Sequence, residues 1–566
     1  MLNIPMEAPE VGDYPFQETF DMVLIPVLLI GITFVAYFGI SWYLRSKVTS
    51  TDDYMVAGRT IGPFVNGSAI SATWESLATF MGVIALMVQV QVPFLAIWTN
   101  FLLSIPLIVI LYGQTLRRLG SYTPATFCKD RYGNVMSVVM ALLIVFVMLM
   151  YALGQFIGLA QIAEILFGWD YNLALAAIVI LVVGYVVIAG MWGVSYNAAL
   201  QFWLMLTAAF FPMMIVLHQL GSAGWFFPPL GYGDLTTEMT DFDPGFFDVN
   251  PELQGVQIDL RWYVAMFFAM ALGPIGMPHL AQRIFTSRNV KAAQRTVFWF
   301  IFVSALMFAT VYSVAFAGVL WLEQIGASEE VALADFDKMI FYLNFAFNNE
   351  IVVGYVVAGA VAGGLSTVSG HMLAISAAIA NDIIEAFNLD VTDDRKTQFG
   401  YLSVVAAGFI IGVIALSPPA FLVVSILWAF AISAAAITPV IVLGVWSARV
   451  NRYGAIASSI VGFFTILILS PHAFSSIGAG AEGLTAALGI DAIMIGFPLA
   501  MLTLVIVSLV AEQIDSLAVD PEDNRALINE MHGYPDDGTE RFTSAVPLII
   551  LALLMLPILY WGIQPW

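Results

Sequence analysis

Charge is what this 566-residue chain has least of. Only 10% of its residues are Asp, Glu, Lys or Arg, against about 25% in ordinary soluble domains, so an ordinary soluble enzyme is excluded. Cysteine is nearly missing too. Cys128 stands alone, which excludes an intrachain disulfide, a thiolate zinc site and a cysteine-held iron–sulfur cluster. Bases are scarce, with 19 Lys+Arg against 40 Asp+Glu and a net charge of −21, so a nucleic-acid partner finds no basic surface. The first residues carry Glu7, Glu10, Asp13, Glu18 and Asp21 and no basic n-region, so the first apolar run reads as an uncleaved anchor and not as a signal peptide. What the chain has in plenty is apolar: 60% hydrophobic residues and a mean hydropathy of +0.91. That is the composition of a polytopic membrane protein with acidic loops.

A helix needs about 20 mostly apolar residues to cross the ~30 Å hydrocarbon core. Fourteen such stretches lie near 20–43, 64–91, 93–113, 135–161, 171–189, 195–219, 261–281, 296–322, 351–381, 398–416, 420–446, 454–470, 491–511 and 543–562. Runs such as Val138–Met150 do not alternate, so helix is expected and not a β-barrel. Seventeen of the 19 basic residues fall on one set of connections, Arg283 counted among them, leaving Arg261 and Lys338 on the other. The positive-inside rule makes the basic side cytoplasmic, with both termini outside the cell membrane. Residues 221–260, rich in acid, aromatics, Pro and Gly, read as an ordered extracellular loop or lid. Residues 512–541 read as an acidic cytoplasmic linker. Solvation alone accounts for most such acid, and with five lysines in the chain the excess points to a proteome adapted to high salt.

Two spans are interrupted. The second opens Gly58-Arg59-Thr60-Ile61-Gly62-Pro63 and fills its middle with Asn66-Gly67-Ser68-Ala69-Ile70-Ser71-Ala72-Thr73-Trp74-Glu75-Ser76. The seventh contains Gly273-Pro274-Ile275-Gly276-Met277-Pro278-His279, where two prolines and two glycines cannot continue a regular helix. Broken backbone at membrane depth survives where it is buried or lines a cavity. A pair of interrupted helices in corresponding halves points to a transporter's central site. Each broken span is followed by four more, giving two five-helix units of opposite orientation. The chain then divides into 1–61 (tail, first span, linker), 62–220 (first inverted repeat), 221–260 (acidic loop), 261–446 (second inverted repeat) and 447–566 (three further spans with the linker 512–541).

Glu75 is the sharpest single residue, because a lone carboxylate at a helix centre costs roughly 2.5–3.5 kcal/mol on insertion scales. It reads as a cation ligand, a proton carrier or a structural hydrogen-bond partner. Asn197, Gln155, Gln161, Glu164 and His218 are weaker signals, explained by interhelical hydrogen bonds. In the ninth span Gly363, Ser366 and Thr367 stand at i, i+3 and i+4 on one face. Two hydroxyls beside an uncovered carbonyl offer the oxygen ligands hard cations prefer, although hydroxyls in membrane helices serve packing more often than ligation.

At these residues the sequence resembles the sodium:solute symporter family, over roughly 20–510. The matching features are Asp53-Tyr54 through Gly58-Arg59 and Gly62, the turn Ala189-Gly190-Met191, and Ser366-Thr367. Within it the chain looks most like the cation/acetate, or monocarboxylate, permeases. That similarity is carried by Asn66-Gly67 with Ala69-Ile70, by Leu116-Arg117 with Leu119-Gly120, by Gly276-Met277-Pro278-His279 with Arg283, and by Ala429-Phe430-Ala431-Ile432. The resemblance implies an all-α LeuT-like 5+5 inverted-repeat core in about 14 transmembrane helices and Na+-coupled alternating access. It also implies a sodium site built from backbone carbonyls at the span-two break, Ala72 and Glu75, and from a carbonyl and two hydroxyls of span nine, Gly363, Ser366 and Thr367. Acetate-type members carry Asp where this chain has Thr73, so that acid's role does not transfer.

The expected activity is Na+-coupled symport of a small organic anion such as acetate, with Na+ as coupling ion, no organic cofactor and no enzymatic chemistry. Ser71, Thr73, Trp74 and Ser76 are expected to line the substrate pocket on one side, with Gln155, Gly273 and Pro274 opposite. The rival within the class is a Na+-coupled amino-acid or neutral-solute symporter. A redox or respiratory subunit is disfavoured by five scattered histidines and no Cys-x-x-Cys-His. A primary pump is disfavoured because no Gly-x4-Gly-Lys-Ser/Thr loop is present.

Overall fold

The computed structural model describes residues 24–90, 94–242, 252–253, 256–257, 260–324, 336–389, 391–417, 422–469, 492–514 and 521–534. Within them the chain is helical almost throughout, apart from a two-residue antiparallel pair, Glu252–Leu253 with Val256–Gln257. Ten helices among the described residues are long and apolar enough to cross a membrane, and the bent pair Pro63–Phe80 and Gly82–Val88 meets the same length and composition when counted as one. Two shorter apolar helices, Tyr171–Val187 and Met266–Gly276, complete the set. Thirteen of the fourteen expected spans therefore fall on helices. The fourteenth, near 543–562, lies outside the described residues, as does the start of the chain.

The interruptions fall where the sequence breaks its own pattern. Span two bends by 52° at its break, and Ser76 takes φ 51°, ψ 178° inside it. That conformation is nearly glycine's own and costs a β-carbon residue about 1–3 kcal/mol. Span seven runs Leu260–Leu272, then a 3-10 turn Pro274–Gly276, then the half-helix Pro278–Phe285. The two prolines supply no N–H, so each sits at the first turn of its piece, where none is needed. Gly190, at φ 53° and ψ −179°, separates span five from span six (Gly190–Gln219).

Span nine, Glu350–Ala386, is the central post. It packs against spans one (Leu24–Leu44), two, four (Asn134–Phe167) and six. Its small residues make that closeness possible: a Cβ on Gly363 would meet Leu77 N and Ser76 C, both at 3.2 Å. Spans twelve (Arg452–Leu469) and thirteen (Ala492–Glu512) pair with each other. They lean on the π-helical stretch Ser433–Ile437 of span eleven (Ser425–Trp446).

The arginine-rich ends of the two broken spans are pinned together. Asn66 Nδ2 donates to Arg283 O at 2.7 Å and Ser287 Oγ at 3.1 Å, and Ile61 N donates to Thr286 O at 3.3 Å. Arg117 donates to the Ser287 and Arg288 carbonyls beside them. The acidic segment after span six contains the helix Pro228–Phe242. Ser222 and Gly224 donate to Asp234 of that helix.

Gly462 of span twelve lies against the Ala435 carbonyl, where a side chain would overlap backbone. Gly462→Leu is expected to lower the stability of the purified protein by about 1–3 kcal/mol, read as a fall in the thermal unfolding midpoint in detergent. An unchanged midpoint would mean the two C-terminal spans are not fastened to the core there.

Candidate functional site

Breaking span two frees carbonyls that a continuous helix would bond. Ser366 and Thr367 of span nine meet them. Ser366 Oγ donates to Ala72 O at 2.8 Å and to its own Gly363 O at 2.9 Å. Thr367 Oγ1 lies 3.2 Å from Thr73 O, 3.4 Å from Ala72 O and 3.1 Å from Gly363 O. Two hydroxyls and three carbonyls thus converge between two spans nearly 300 positions apart in sequence. Four of the five expected sodium residues, Ala72, Gly363, Ser366 and Thr367, are brought together, and the Thr73 carbonyl joins them. All are fully buried or nearly so.

The Glu75 side chain turns away from this cluster. It is 1% exposed and faces Ser304 of span eight, Val290–Gln324. The Ser304 hydroxyl, engaged with Ser71 Oγ at 2.8 Å, is also within reach of the Glu75 carboxylate, and no basic side chain pairs with Glu75 among the described residues. Ser71 stands four residues back, on the same helical face. Its hydroxyl therefore points towards span eight.

The remaining pocket candidates surround the break itself. Gln155 of span four accepts from Leu77 N at 3.1 Å, and its amide lies 3.4 Å from Ser76 Oγ. Ser76 Oγ accepts from Ala78 N at 3.0 Å. These contacts recap the helix after the break, which holds Ser76 in its strained conformation. Tyr151 donates to Trp74 O at 3.3 Å. The Trp74 indole is wedged against Phe101 and Phe430, with centroids 4.5 and 5.4 Å away. Thr73 Oγ1 donates to Ala69 O at 2.7 Å and accepts from Arg283 at 3.1 Å.

The break in span seven is held by an analogous hydroxyl pair. Ser433 Oγ donates to Gly273 O at 2.7 Å and Thr438 Oγ1 to Leu272 O at 2.9 Å. Tyr112 donates to Ile275 O, and Pro274 sits between them in the 3-10 turn. Gly273 has no room for a side chain, since a Cβ would lie 2.6 Å from both Ala269 O and Phe430 Cβ.

A model of the sodium:solute symporter family matches residues 54–462, well over half of the chain. The protein belongs to that family. Membership carries Na+-coupled solute symport at the level of the family, and the hydroxyl–carbonyl cluster is an oxygen-donor set of the kind such coupling needs. The fold agrees: the chain superposes on a substrate-bound, outward-open Na+-coupled sialic acid symporter with a TM-score of 0.69. That match has 17% identity and covers 86% of this chain and 98% of the other. It identifies the inverted-repeat architecture. Weaker likenesses are to a nucleobase-cation-symport-1 family transporter closed around bromovinylhydantoin (TM-score 0.48, 12% identity, 85% and 95% covered) and to a manganese transporter of Eremococcus coleocola (0.43, 14%, 91% and 96%).

The sequence had given no role to Arg283, His279, His371, Ser433 or Thr438. Arg283 was sorted with the connection residues, yet it is 1% exposed and reaches Thr73 and Ser195 within the bundle. Its position four residues after His279, inside the half-helix Pro278–Phe285, is the signal that separates it from the loop bases. Asn197 bonds Tyr37 O and Ser41 Oγ of span one, as expected for interhelical glue.

Gln155→Leu removes the cap on Leu77 N. Leaving that buried donor unpaired costs about 1–3 kcal/mol, so a lower unfolding midpoint is expected together with slower transport. A variant with wild-type stability would show that the cap is dispensable.

Proposed function

We propose that the protein is a Na+-driven symporter for a small organic anion, such as acetate or another short monocarboxylate, working by alternating access. The observation that carries this reading is the meeting of Ser366 and Thr367 with the carbonyls of Ala72, Thr73 and Gly363. The hydroxyls turn their lone pairs to an arriving Na+, which then takes over the bridging that their hydrogens perform. Its ligands sit on spans two and nine, so its binding energy is available only where both spans are assembled. An ion with that preference shifts the population towards the assembled state. In this reading the Glu75 backbone carbonyl, adjacent to the break, completes the ion's shell.

The Glu75 carboxylate has a separate task. A buried carboxylate without a counter-charge requires a neutralising partner, and we assign it a proton or a second cation during the cycle. The stoichiometry matters energetically. One Na+ with one monocarboxylate moves no net charge, whereas each additional cation adds about 2.3 kcal/mol of driving force per 100 mV.

A small substrate is favoured by the crowding of Trp74, Phe101, Tyr151 and Phe430 between the breaks. The N-terminus of the half-helix Pro278–Phe285 has no side-chain cap, an arrangement suited to a carboxylate. Trp74, Thr73, Ser76, Gln155, Gly273 and Pro274 form the surrounding wall, with Ser71 set behind it. The arginine-rich end is assigned to the cytoplasm of a plasma-membrane protein on the positive-inside rule.

In proteoliposomes, a Na+ gradient is expected to drive uptake of radiolabelled short monocarboxylates and not of amino acids. Ser366→Ala or Thr367→Ala should raise the Na+ concentration for half-maximal uptake about tenfold, a loss near 1.4 kcal/mol, with Thr367→Ser close to wild type. Uptake that ignores Na+, or that selects amino acids, would overturn the reading. Glu75→Gln is expected to change the pH dependence of uptake or the accompanying current; if neither moves, the carboxylate has no part in coupling.

A further inference from the structure

The sodium cluster leaves a group of central side chains unused. His279 stands just past the break in span seven, and His371 stands one turn beyond Thr367 in span nine. Both are buried, at 2% and 0% exposure. Their ring centroids are 4.6 Å apart and nearly perpendicular. The Tyr151 ring lies 4.3 Å from His371 and 5.8 Å from His279, while its hydroxyl reaches Trp74 O at the other break. The pair therefore lies between the two interruptions.

None of the four ring nitrogens has a hydrogen-bond partner among the described residues. Buried polar atoms are satisfied in the large majority of cases, and an unsatisfied set signals a missing ligand or a functional demand. Arg283 adds to that demand. It follows His279 by one helical turn, on the same face, and is 1% exposed. Its acceptors are two neutral hydroxyls, Ser195 at 3.2 Å and Thr73 at 3.1 Å, and no carboxylate pairs with it among the described residues. A buried guanidinium without a counter-charge calls for an anion. A transition metal is a poor alternative, because no third His, Cys, Asp or Glu joins the histidines among the described residues.

We propose that His279, His371 and Arg283 form the seat for the substrate's carboxylate. Each neutral imidazole has one N–H to donate, so the two rings can each bond one carboxylate oxygen, and the guanidinium supplies the compensating charge. The inference rests on the organic-anion reading and names the residues that would enforce it. It also explains how the ion and the anion cooperate. Thr73 accepts from Arg283 through its side chain and from Thr367 through its carbonyl. A Na+ in the hydroxyl–carbonyl cluster places a second positive charge one residue from Arg283, which favours the anion. By reciprocity the bound anion tightens Na+.

The test compares acetate and propionate with acetamide and propionamide as probes, using the full chain in proteoliposomes and nanodiscs. His279→Leu and His371→Leu are expected to raise the KM for the acids about tenfold or more, as for a lost charge-assisted hydrogen bond. Na+ binding without substrate, followed by tryptophan fluorescence, should stay within about twofold of wild type, and His371→Gln should recover part of the loss. Wild-type KM values in both leucine variants would overturn the seat while leaving the anion reading intact. Wild-type uptake of the amides with none of the acids would overturn both. Should the variants fail to fold, nitrogen-15 histidine resonances of the wild-type protein decide. A shift on adding acetate or propionate in Na+, and none with the amides, supports the seat; resonances unmoved by the acids overturn it.

Discussion

A carbonyl released from its helix inside a membrane must find another donor, because no water is present to supply one. Both breaks of this protein meet that requirement with paired hydroxyls borrowed from a different helix. For span two the pair is Ser366 and Thr367, and for span seven it is Ser433 and Thr438. The two solutions differ in origin. Span seven is fastened by a helix of its own five-span unit, whereas span two is fastened by a helix of the opposite unit. The span-two cluster therefore joins the two units, and the span-seven cluster lies within one of them.

The strain at Ser76 follows from the same requirement. Its near-glycine backbone is sustained by Gln155 on one side and by the closeness of Gly363 on the other, so spans four and nine together over-determine it. Charge is handled more sparingly. Glu75 and Arg283 are both buried near the break, yet they sit on different sides of span two, one facing Ser304 and the other bonding Thr73. They do not neutralise each other.

Much of the architecture was legible in the sequence because the signals are local. Long apolar runs mark spans whatever their neighbours, and Pro274 and Pro278 interrupt a helix without reference to anything else. Ser366 and Thr367 could be placed on one face by spacing alone. Side-chain direction was not legible in the sequence. Ser71, Thr73 and Glu75 lie within five residues, yet Ser71 and Glu75 turn towards span eight while Thr73 turns towards Arg283. Helical rotation is set by packing against several neighbours at once. Arg283 was misplaced for a related reason: its proximity to Arg288 and Lys291 in sequence made it look like one more loop base.

By itself, then, the scarcity of charge determined a membrane protein, the apolar runs determined its spans, and the Pro/Gly interruptions determined where two of them break. Those properties depend on the solvent and on the backbone, which act residue by residue. Only the tertiary structure decided which oxygens meet across spans two and nine. It also decided that the Glu75 side chain faces span eight, that His279 meets His371, and that the buried Arg283 bonds two neutral hydroxyls. Such meetings join residues hundreds of positions apart, and close packing of helices sets them to within an ångström.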